Sequence, residues 1–177
     1  MKKKELIIIA VIALFVLAGF GFMFKDSFTG GDKPQKHTAG DYTKMPEATG
    51  VTNEITRHLV VEQKFVNKKD SISELAVVFN KFEEFEKKEN VKLTISLLCD
   101  DETLAEETYN NCDIEDQHRV FIKLNQNYSG MSGKELTLLI EGKDNDTGMY
   151  LMMQENEDTT FMFGNLKING TICFTLN

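Results

Sequence analysis

Three tyrosines are the side chains in the C-terminal part of the chain that best suit the binding of a sugar. Tyr109, Tyr128 and Tyr150 each combine an aromatic face, which can stack on a sugar ring, with a hydroxyl that forms hydrogen bonds. The chain has no tryptophan, so these are the polar aromatic residues available beyond residue 51. The competing interpretation is that they pack in a core or along a sheet edge, as tyrosines in β-proteins usually do. The three tyrosines are the candidate ligand-binding residues.

A short acidic loop has a pattern that partly matches a calcium-binding loop. Asp144 and Asp146 alternate with Asn145, and Glu155 follows eleven positions after Asp144. Calcium takes six to eight oxygen ligands, which carboxylates in such loops supply. The sixth position, where a glycine makes the sharp turn, is Met149 here. The alternative is that Asp and Asn simply form a solvated turn. Asp144 and Asp146 are the candidate metal ligands, and we expect no other cofactor.

The three cysteines predict no disulfide. Cys99 and Cys112 fall at opposite ends of a predicted hairpin whose second strand covers about residues 103–109. Seven residues of strand separate them by about 23 Å, whereas the Cα atoms of a disulfide lie within about 7 Å. Cys173 alternates with Ile172 and Phe174 and is expected to be a small, partly buried residue on the opposite side of its strand.

No constellation of catalytic residues is present in the sequence. His37, His58 and His118 are isolated from one another, and no Gly-x-Ser-x-Gly or phosphate-binding loop occurs. No nucleophile can be paired with a base by sequence alone. We therefore expect a protein that is not an enzyme.

The N-terminal segment that precedes these residues has the length and composition of a membrane anchor. Leu6 to Phe24 is a run of 19 residues without a charge, preceded by three lysines. As a helix it spans roughly 28 Å, close to the hydrocarbon thickness of a bilayer. The lysines predict a cytoplasmic N-terminus and an extracytoplasmic C-terminal domain. A cleaved signal peptide is the alternative, although its apolar region is usually shorter.

Composition divides the chain into three parts: a signal-anchor segment (1–25), a flexible linker (26–50) and a folded domain (51–177). Both prolines lie in the linker. The full chain has a net charge of −8, and the domain has 13 Lys and Arg against 23 Asp and Glu, a net charge of −10. Such an acidic domain is a poor ligand for nucleic acid, so we expect no nucleic-acid partner.

Alternation of apolar and polar residues recurs along the domain and predicts an all-β fold, an antiparallel β-sandwich. The clearest run is Val91, Leu93, Ile95 and Leu97, with Lys92, Thr94 and Ser96 between them. Turn-forming clusters separate the runs, and Asn169-Gly170 is the strongest hairpin signal.

Residues 71–90 have two readings. As a helix they place Leu75, Val78, Phe79, Phe82 and Phe85 on one face, after a capping box formed by Ser71 and Glu74. As a strand, Leu75-Ala-Val-Val-Phe79 is rich in residues that suit an inner position of a sheet. We predict a strand to about Asn80, followed by a loop or short turn.

An ordered set of short patterns from Leu59 to Asn177 resembles a domain of envelope membrane proteins in Gram-positive bacteria. The patterns are Gln63-Lys-Phe65, Ile72…Leu75-Ala-Val-Val-Phe79, Asn90-Val-Lys-Leu93 with Thr94-Ile-Ser-Leu97, Ile114-Glu-Asp116 before Val120-Phe-Ile122, Gly133-Lys-Glu-Leu-Thr-Leu138 with Ile140-Glu-Gly142, and Asn165-Leu-Lys-Ile-Asn-Gly170. They cover about two thirds of the chain, and their order and spacing carry the resemblance.

The resemblance implies a jelly-roll-like β-sandwich after one transmembrane helix, in a family often attached to glycosyltransferase-type membrane proteins. It implies fold and location, with a hint of glycan-related work. The sequence departs from the family in its highly charged segment 82–89 and in its lack of tryptophan. Phe161 and Phe163 are the aromatic residues available in the late strands.

Two functional hypotheses follow. The first is a membrane-anchored, non-catalytic envelope module that binds cell-surface glycan or supports its assembly. The second is a protein-interaction subunit whose helix docks on a polytopic membrane partner, with Ala18, Gly19 and Gly21 as small residues that allow close approach.

Overall fold

The computed structural model describes residues 44–81, 91–100, 102–114, 119–145 and 147–177. The predicted anchor, Leu6 to Phe24, lies outside these residues and stays a prediction. Within the described ranges, no helix has the length and apolar character needed to cross a membrane. The first strand begins at Gly50, one residue before the predicted start of the domain.

The described residues form twelve β-strands and contain no α-helix. The strands are β1 (Gly50–Val51), β2 (Val60–Val66), β3 (Ile72–Lys81), β4 (Lys92–Cys99), β5 (Glu102–Asn110), β6 (Arg119–Tyr128), β7 (Glu135–Gly142), β8 (Met149–Gln154), β9 (Thr160–Phe163), β10 (Leu166–Asn169), β11 (Thr171–Ile172) and β12 (Phe174–Leu176). A short 3-10 turn, Asn111–Asp113, follows β5. The predicted all-β class is confirmed.

The strands are arranged in two antiparallel sheets. The first sheet has the order β1-β8-β3-β12, with β11 beside β8 and β6 beside β3. The second sheet has the order β10-β9-β2-β7-β4-β5. The inner faces of both sheets contribute to one apolar core. Phe65 of the second sheet meets Phe174 of the first, with ring centroids 4.8 Å apart. The two sheets therefore pack as a sandwich.

The alternation in the sequence determines which face of each strand enters this core. In β7, Leu136, Leu138 and Ile140 are fully buried, whereas Thr137, Leu139 and Glu141 alternate with them and remain partly accessible. Successive side chains of a strand point to opposite faces, so the buried set fixes the outward set. The same pattern in β4 buries Leu93, Ile95 and Leu97.

The strand predicted for residues 71–80 is confirmed, because Ile72–Lys81 forms β3. This strand pairs with β6 along one side. On its other side it pairs first with β12 and then with β8. Hydrogen bonding on both sides outweighs the helical propensity of the segment. Phe82 and Phe85, which the helical reading needed, lie outside the described residues.

The hairpin predicted at Asn169-Gly170 is wrong. β10 pairs with β9 of the second sheet, whereas β11 pairs with β8 of the first, so the chain changes sheets at Gly170. Gly170 has φ of 137°, and a Cβ there would lie 2.7 Å from the Gln154 carbonyl oxygen. A two-residue hairpin loop lies a few residues earlier, at Gly164-Asn165, between β9 and β10. Gly164 has φ of 60°, which suits the first position of a type II′ turn.

Candidate functional site

A polar groove crosses the outer face of the second sheet. Its volume is about 410 Å³. The lining side chains come from β2, β4, β5 and β7 and from the residue after β7: Val60, Thr94, Ser96, Glu106, Thr108, Leu139, Glu141 and Lys143. Pockets that hold small ligands have volumes of about 300–1,000 Å³, so the groove has room for one.

The strand register arranges these residues in two rows that run across the sheet. In the first row, Thr108 lies opposite Thr94, Thr94 opposite Glu141, and Glu141 opposite Val60. In the second row, Glu106 lies opposite Ser96, and Ser96 lies opposite Leu139. Neighbouring strands are about 4.8 Å apart, so a row of four residues extends about 14 Å. The groove is therefore an ordered strip of side chains, two rows wide.

Hydrogen bonds within the rows hold the polar groups in place. The hydroxyls of Thr94 and Thr108 are 3.0 Å apart. The Ser96 hydroxyl donates to Glu106 Oε2 at 3.2 Å. Thr94 is only 8% exposed, so its hydroxyl forms part of the groove floor. Because these contacts link β4 to β5, the side chains are oriented before any ligand arrives.

The charges of the groove are unequally balanced. Lys143 Nζ lies 2.6 Å from Glu141 Oε2, so these two charges compensate each other. Glu106 receives the Ser96 hydroxyl, and none of the described Lys or Arg side chains forms an ion pair with it. The groove therefore combines hydroxyls, a neutralised ion pair and one carboxylate without a counter-charge among the described residues. Leu139 and Val60 supply an apolar surface beside them.

Sequence reasoning missed this groove, although one signal for it was present. Thr94 and Ser96 occupy the polar positions of the clearest alternating run, so their outward direction is readable from the sequence. The arrangement across strands is not readable, because β4 pairs with β7, which begins 36 residues after β4 ends, at Glu135. Glu141 and Lys143 enter the site only through that pairing.

Tyr109 and Tyr128 lie on one side of the sandwich, where β5 of the second sheet runs beside β6 of the first. The Tyr109 hydroxyl donates to the Phe121 carbonyl oxygen at 3.2 Å, and the Tyr128 hydroxyl donates to Glu102 Oε1 at 3.4 Å. Between them, the Asn125 amide donates to the Thr103 carbonyl oxygen at 3.0 Å. These side chains join the two edge strands. The tyrosines bond at opposite ends of β5, so they do not form one stacking surface.

Burial changes the acidity of both edge tyrosines. It raises the pKa of Tyr109, and the negative charge of the nearby Glu107 carboxylate raises it further. Burial also raises the pKa of Tyr128, with a contribution in the same direction from the carboxylate of Glu102. Both hydroxyls therefore stay protonated and keep donating hydrogen bonds throughout the neutral pH range.

Tyr150 is separate from the other two tyrosines. It lies in β8 of the first sheet, opposite Asn80 of β3, and is half-buried. Burial and then the charge of Glu54 raise its pKa. None of the three tyrosines lines the groove. The ligand-binding residues predicted from the sequence are therefore different from the residues that line the groove.

The candidate metal loop has a structural contact at its first residue. Asp144 Oδ2 accepts a hydrogen bond from the Lys92 backbone N–H at 2.7 Å, which caps the start of β4. Asp146 lies outside the described residues. Within the described ranges, no group of three or more His, Cys, Asp and Glu side chains is placed to hold a metal ion. The calcium loop stays a prediction.

The three cysteines are free and differ in exposure. Cys99 ends β4 at the β4–β5 turn, and Cys112 follows the far end of β5 in the 3-10 turn. Cys173 lies between β11 and β12, where its N–H donates to the Met152 carbonyl oxygen at 2.9 Å. It is 1% exposed, and burial raises the pKa of its thiol from 9.0 to about 11.

These differences predict an order of alkylation by iodoacetamide at pH 8. Only the thiolate reacts, so exposure and pKa together set the rate. We expect Cys112 to react first, since it is exposed, and Cys173 to react only after unfolding. Cys99 should be intermediate, because burial and the charge of Asp100 raise its pKa. Peptide mass spectrometry resolves the three sites, and a denatured sample gives their common upper rate. Native labelling of Cys173 as fast as Cys112 would contradict the buried position.

Comparisons with known proteins add no family assignment. Neither the models of protein families nor the curated proteins contain a significant match to this chain.

Proposed function

We propose that this chain is a membrane-anchored, extracytoplasmic module of the cell envelope that binds surface glycan in the groove without catalysing a reaction. In this proposal the sandwich is of the jelly-roll type and follows a single transmembrane helix. The observation that supports the proposal most directly is the pair of rows of hydroxyl and carboxylate groups across the second sheet.

The chemistry of the rows matches that of a sugar. A sugar ring presents adjacent hydroxyls, each a donor and an acceptor, together with an apolar face of C–H groups. Thr108, Ser96 and Glu106 offer matching donors and acceptors along the ring's edge. Leu139 and Val60 offer an apolar surface for its C–H face. The groove therefore has both kinds of contact, and it obtains them without an aromatic ring.

Charge supports a location away from the bilayer surface. The C-terminal 127 residues have a net charge of −10, so anionic lipid headgroups repel them. A flexible linker after the predicted anchor would hold such a domain in the envelope, where glycan is available.

Replacement of the groove hydroxyls tests the proposal. We expect full-length chain in detergent micelles to co-sediment saturably with isolated Gram-positive cell walls, and Thr108→Val to weaken that binding by about tenfold, the value of one hydrogen bond. Ser96→Ala should act similarly. Thr137→Val is the matched control, because Thr137 is also an outer residue of the second sheet but does not line the groove.

Two further measurements distinguish groove binding from calcium-dependent binding and from docking through the helix. Chelator that abolishes binding would assign it to the acidic loop at Asp144 rather than to the groove. Absence of binding with and without calcium would overturn the glycan proposal. The remaining hypothesis would then be the subunit that docks through its helix, and replacement of Leu6 to Phe24 by an unrelated anchor would test it by loss of the co-purifying partner.

A further inference from the structure

We infer that the groove selects glycans with free amino groups, because the Glu106 carboxylate lies at the end of a hydroxyl-lined groove with no counter-charge among the described residues. This inference rests on the proposed function and specifies its ligand. The chemical class is a polysaccharide with protonated amines, such as one that contains deacetylated glucosamine units.

The Glu106 carboxylate is oriented toward the groove. It accepts a hydrogen bond from the Ser96 hydroxyl on the neighbouring strand, at 3.2 Å. That contact directs the carboxylate toward β4. It therefore lies over the groove and does not extend outward past the edge of the sheet. An ammonium group on a ligand lying across Ser96 and Leu139 would meet an acceptor that is already oriented.

Glu106 differs from two carboxylates near it, because each of those has a cation beside it. Glu141 has Lys143 at 2.6 Å, and Glu62, the next residue along the second row, has Lys64 at 3.4 Å. Each of these carboxylates has its own cation, whereas Glu106 has only a hydroxyl among its described contacts. A ligand that covers Glu106 removes water from it, and a carboxylate that loses water is costly unless it is paired with a cation and hydrogen-bonded. The uncompensated charge therefore favours a cationic ligand.

The same charge discriminates against the alternatives. An N-acetylated sugar offers a neutral amide N–H, and hydrogen bonds between a neutral donor and a carboxylate are weaker than those from an ammonium group. An anionic polymer meets Glu106 and a domain with a net charge of −10, and both repel it. Selectivity thus comes from one residue at the groove and is reinforced by the charge of the whole domain.

The test compares two probes on the full-length chain in detergent micelles. Glucosamine oligomers and N-acetylglucosamine oligomers of equal length are titrated at mildly acidic pH, where the free amines are protonated. We expect the amino oligomer to bind more tightly by about tenfold or more, since both oligomers can donate a hydrogen bond to Glu106 but only the ammonium group adds the attraction of opposite charges at short distance. Glu106→Gln, which keeps the shape and the acceptor for Ser96, should bring the two affinities together.

Glu107→Gln is the matched control for charge. Glu107 is the next residue of β5 and lies opposite Ile95, a core residue, so it belongs to the other side of the strand. Glu107→Gln removes one negative charge close to Glu106, and it should leave the preference for the amino oligomer unchanged. Both glutamates are exposed, so neither substitution threatens folding.

The outcomes separate this inference from the proposed function. Equal binding of the two oligomers, unaffected by Glu106→Gln, would overturn the amino preference and leave glycan binding intact. A preference that Glu106→Gln and Glu107→Gln reduce equally would overturn the assignment to the groove, because it would reflect the overall acidity of the domain. No binding of either oligomer, together with no binding to cell walls, would overturn the proposed function itself.

Discussion

Gln63→Leu should lower the free energy of unfolding by about 2–5 kcal/mol, because it removes the polar link between the two sheets at a buried site. Gln63 lies in β2 of the second sheet and is 1% exposed. Its Nε2 donates to the Thr171 hydroxyl at 2.6 Å, and its Oε1 accepts from the Ile172 backbone N–H at 2.8 Å. Both partners belong to β11 of the first sheet.

Leucine has nearly the same volume as glutamine but neither polar atom. The Ile172 N–H would lose its acceptor in a region where Ile172 itself is fully buried. A buried donor without a partner costs about 1–3 kcal/mol, and the contact with Thr171 is lost in addition. Denaturant unfolding of the full chain, followed by circular dichroism, measures the change as a shift in midpoint at constant slope.

Gln126→Leu is the matched control, since Gln126 is exposed in β6. Its effect should stay within about 0.5 kcal/mol. If Gln63→Leu were equally mild, the apolar gain of leucine would offset the lost hydrogen bonds, and the polar link would contribute nothing to holding β11 in place.

Gln63 also shows which parts of the fold can be predicted from the sequence. The alternation of Leu59, Val61, Gln63 and Phe65 correctly places it on the inward side of a strand. Its partners lie 108 and 109 residues later in the chain. Alternation is a property of each strand alone, so it gives strands and faces, whereas pairing depends on the packing of the whole core.

The hairpin and the tyrosines show the same limit of the sequence, although only the hairpin prediction is wrong. Asn169-Gly170 has the right residues for a tight turn, but the strands on either side pair with different sheets. The chemistry of their side chains suggests the tyrosines, but two of them join the edges of β5 and β6 instead of forming a platform. Thr94 and Ser96 have no individual signature of function, and they form a site only because β5 and β7 lie on either side of β4.

Gly142→Ala should be destabilising by about 2–3 kcal/mol, because there is no room for a side chain at this position. An ideal Cβ on Gly142 would lie 2.5 Å from the Thr56 carbonyl oxygen and 2.8 Å from the Thr56 carbonyl carbon. These are backbone atoms, and the next residue, Arg57, pairs with Gly142 directly. The segment before β2 or the end of β7 must therefore move.

Gly50→Ala is the control for adding a methyl group to a glycine of a strand. The nearest atom to a Cβ there is Glu155 Oε1 at 3.3 Å, the end of a flexible side chain that can move aside. Its effect should be small. If Gly142→Ala lowered the free energy of unfolding equally little, residues 55–57 would have to move aside at low cost. That result would contradict the close packing around Gly142.

The position of Gly142 gives this substitution a second consequence. Glu141 and Lys143, the compensated ion pair of the groove, lie on either side of it. The Lys143 N–H donates to the Lys92 carbonyl oxygen at 2.9 Å, which ties the end of β7 to the start of β4. A shift of this strand end would separate Glu141 from Thr94, its neighbour in the first row. Gly142→Ala should therefore weaken cell-wall binding under conditions in which the protein is still folded, whereas Gly50→Ala should leave binding unchanged.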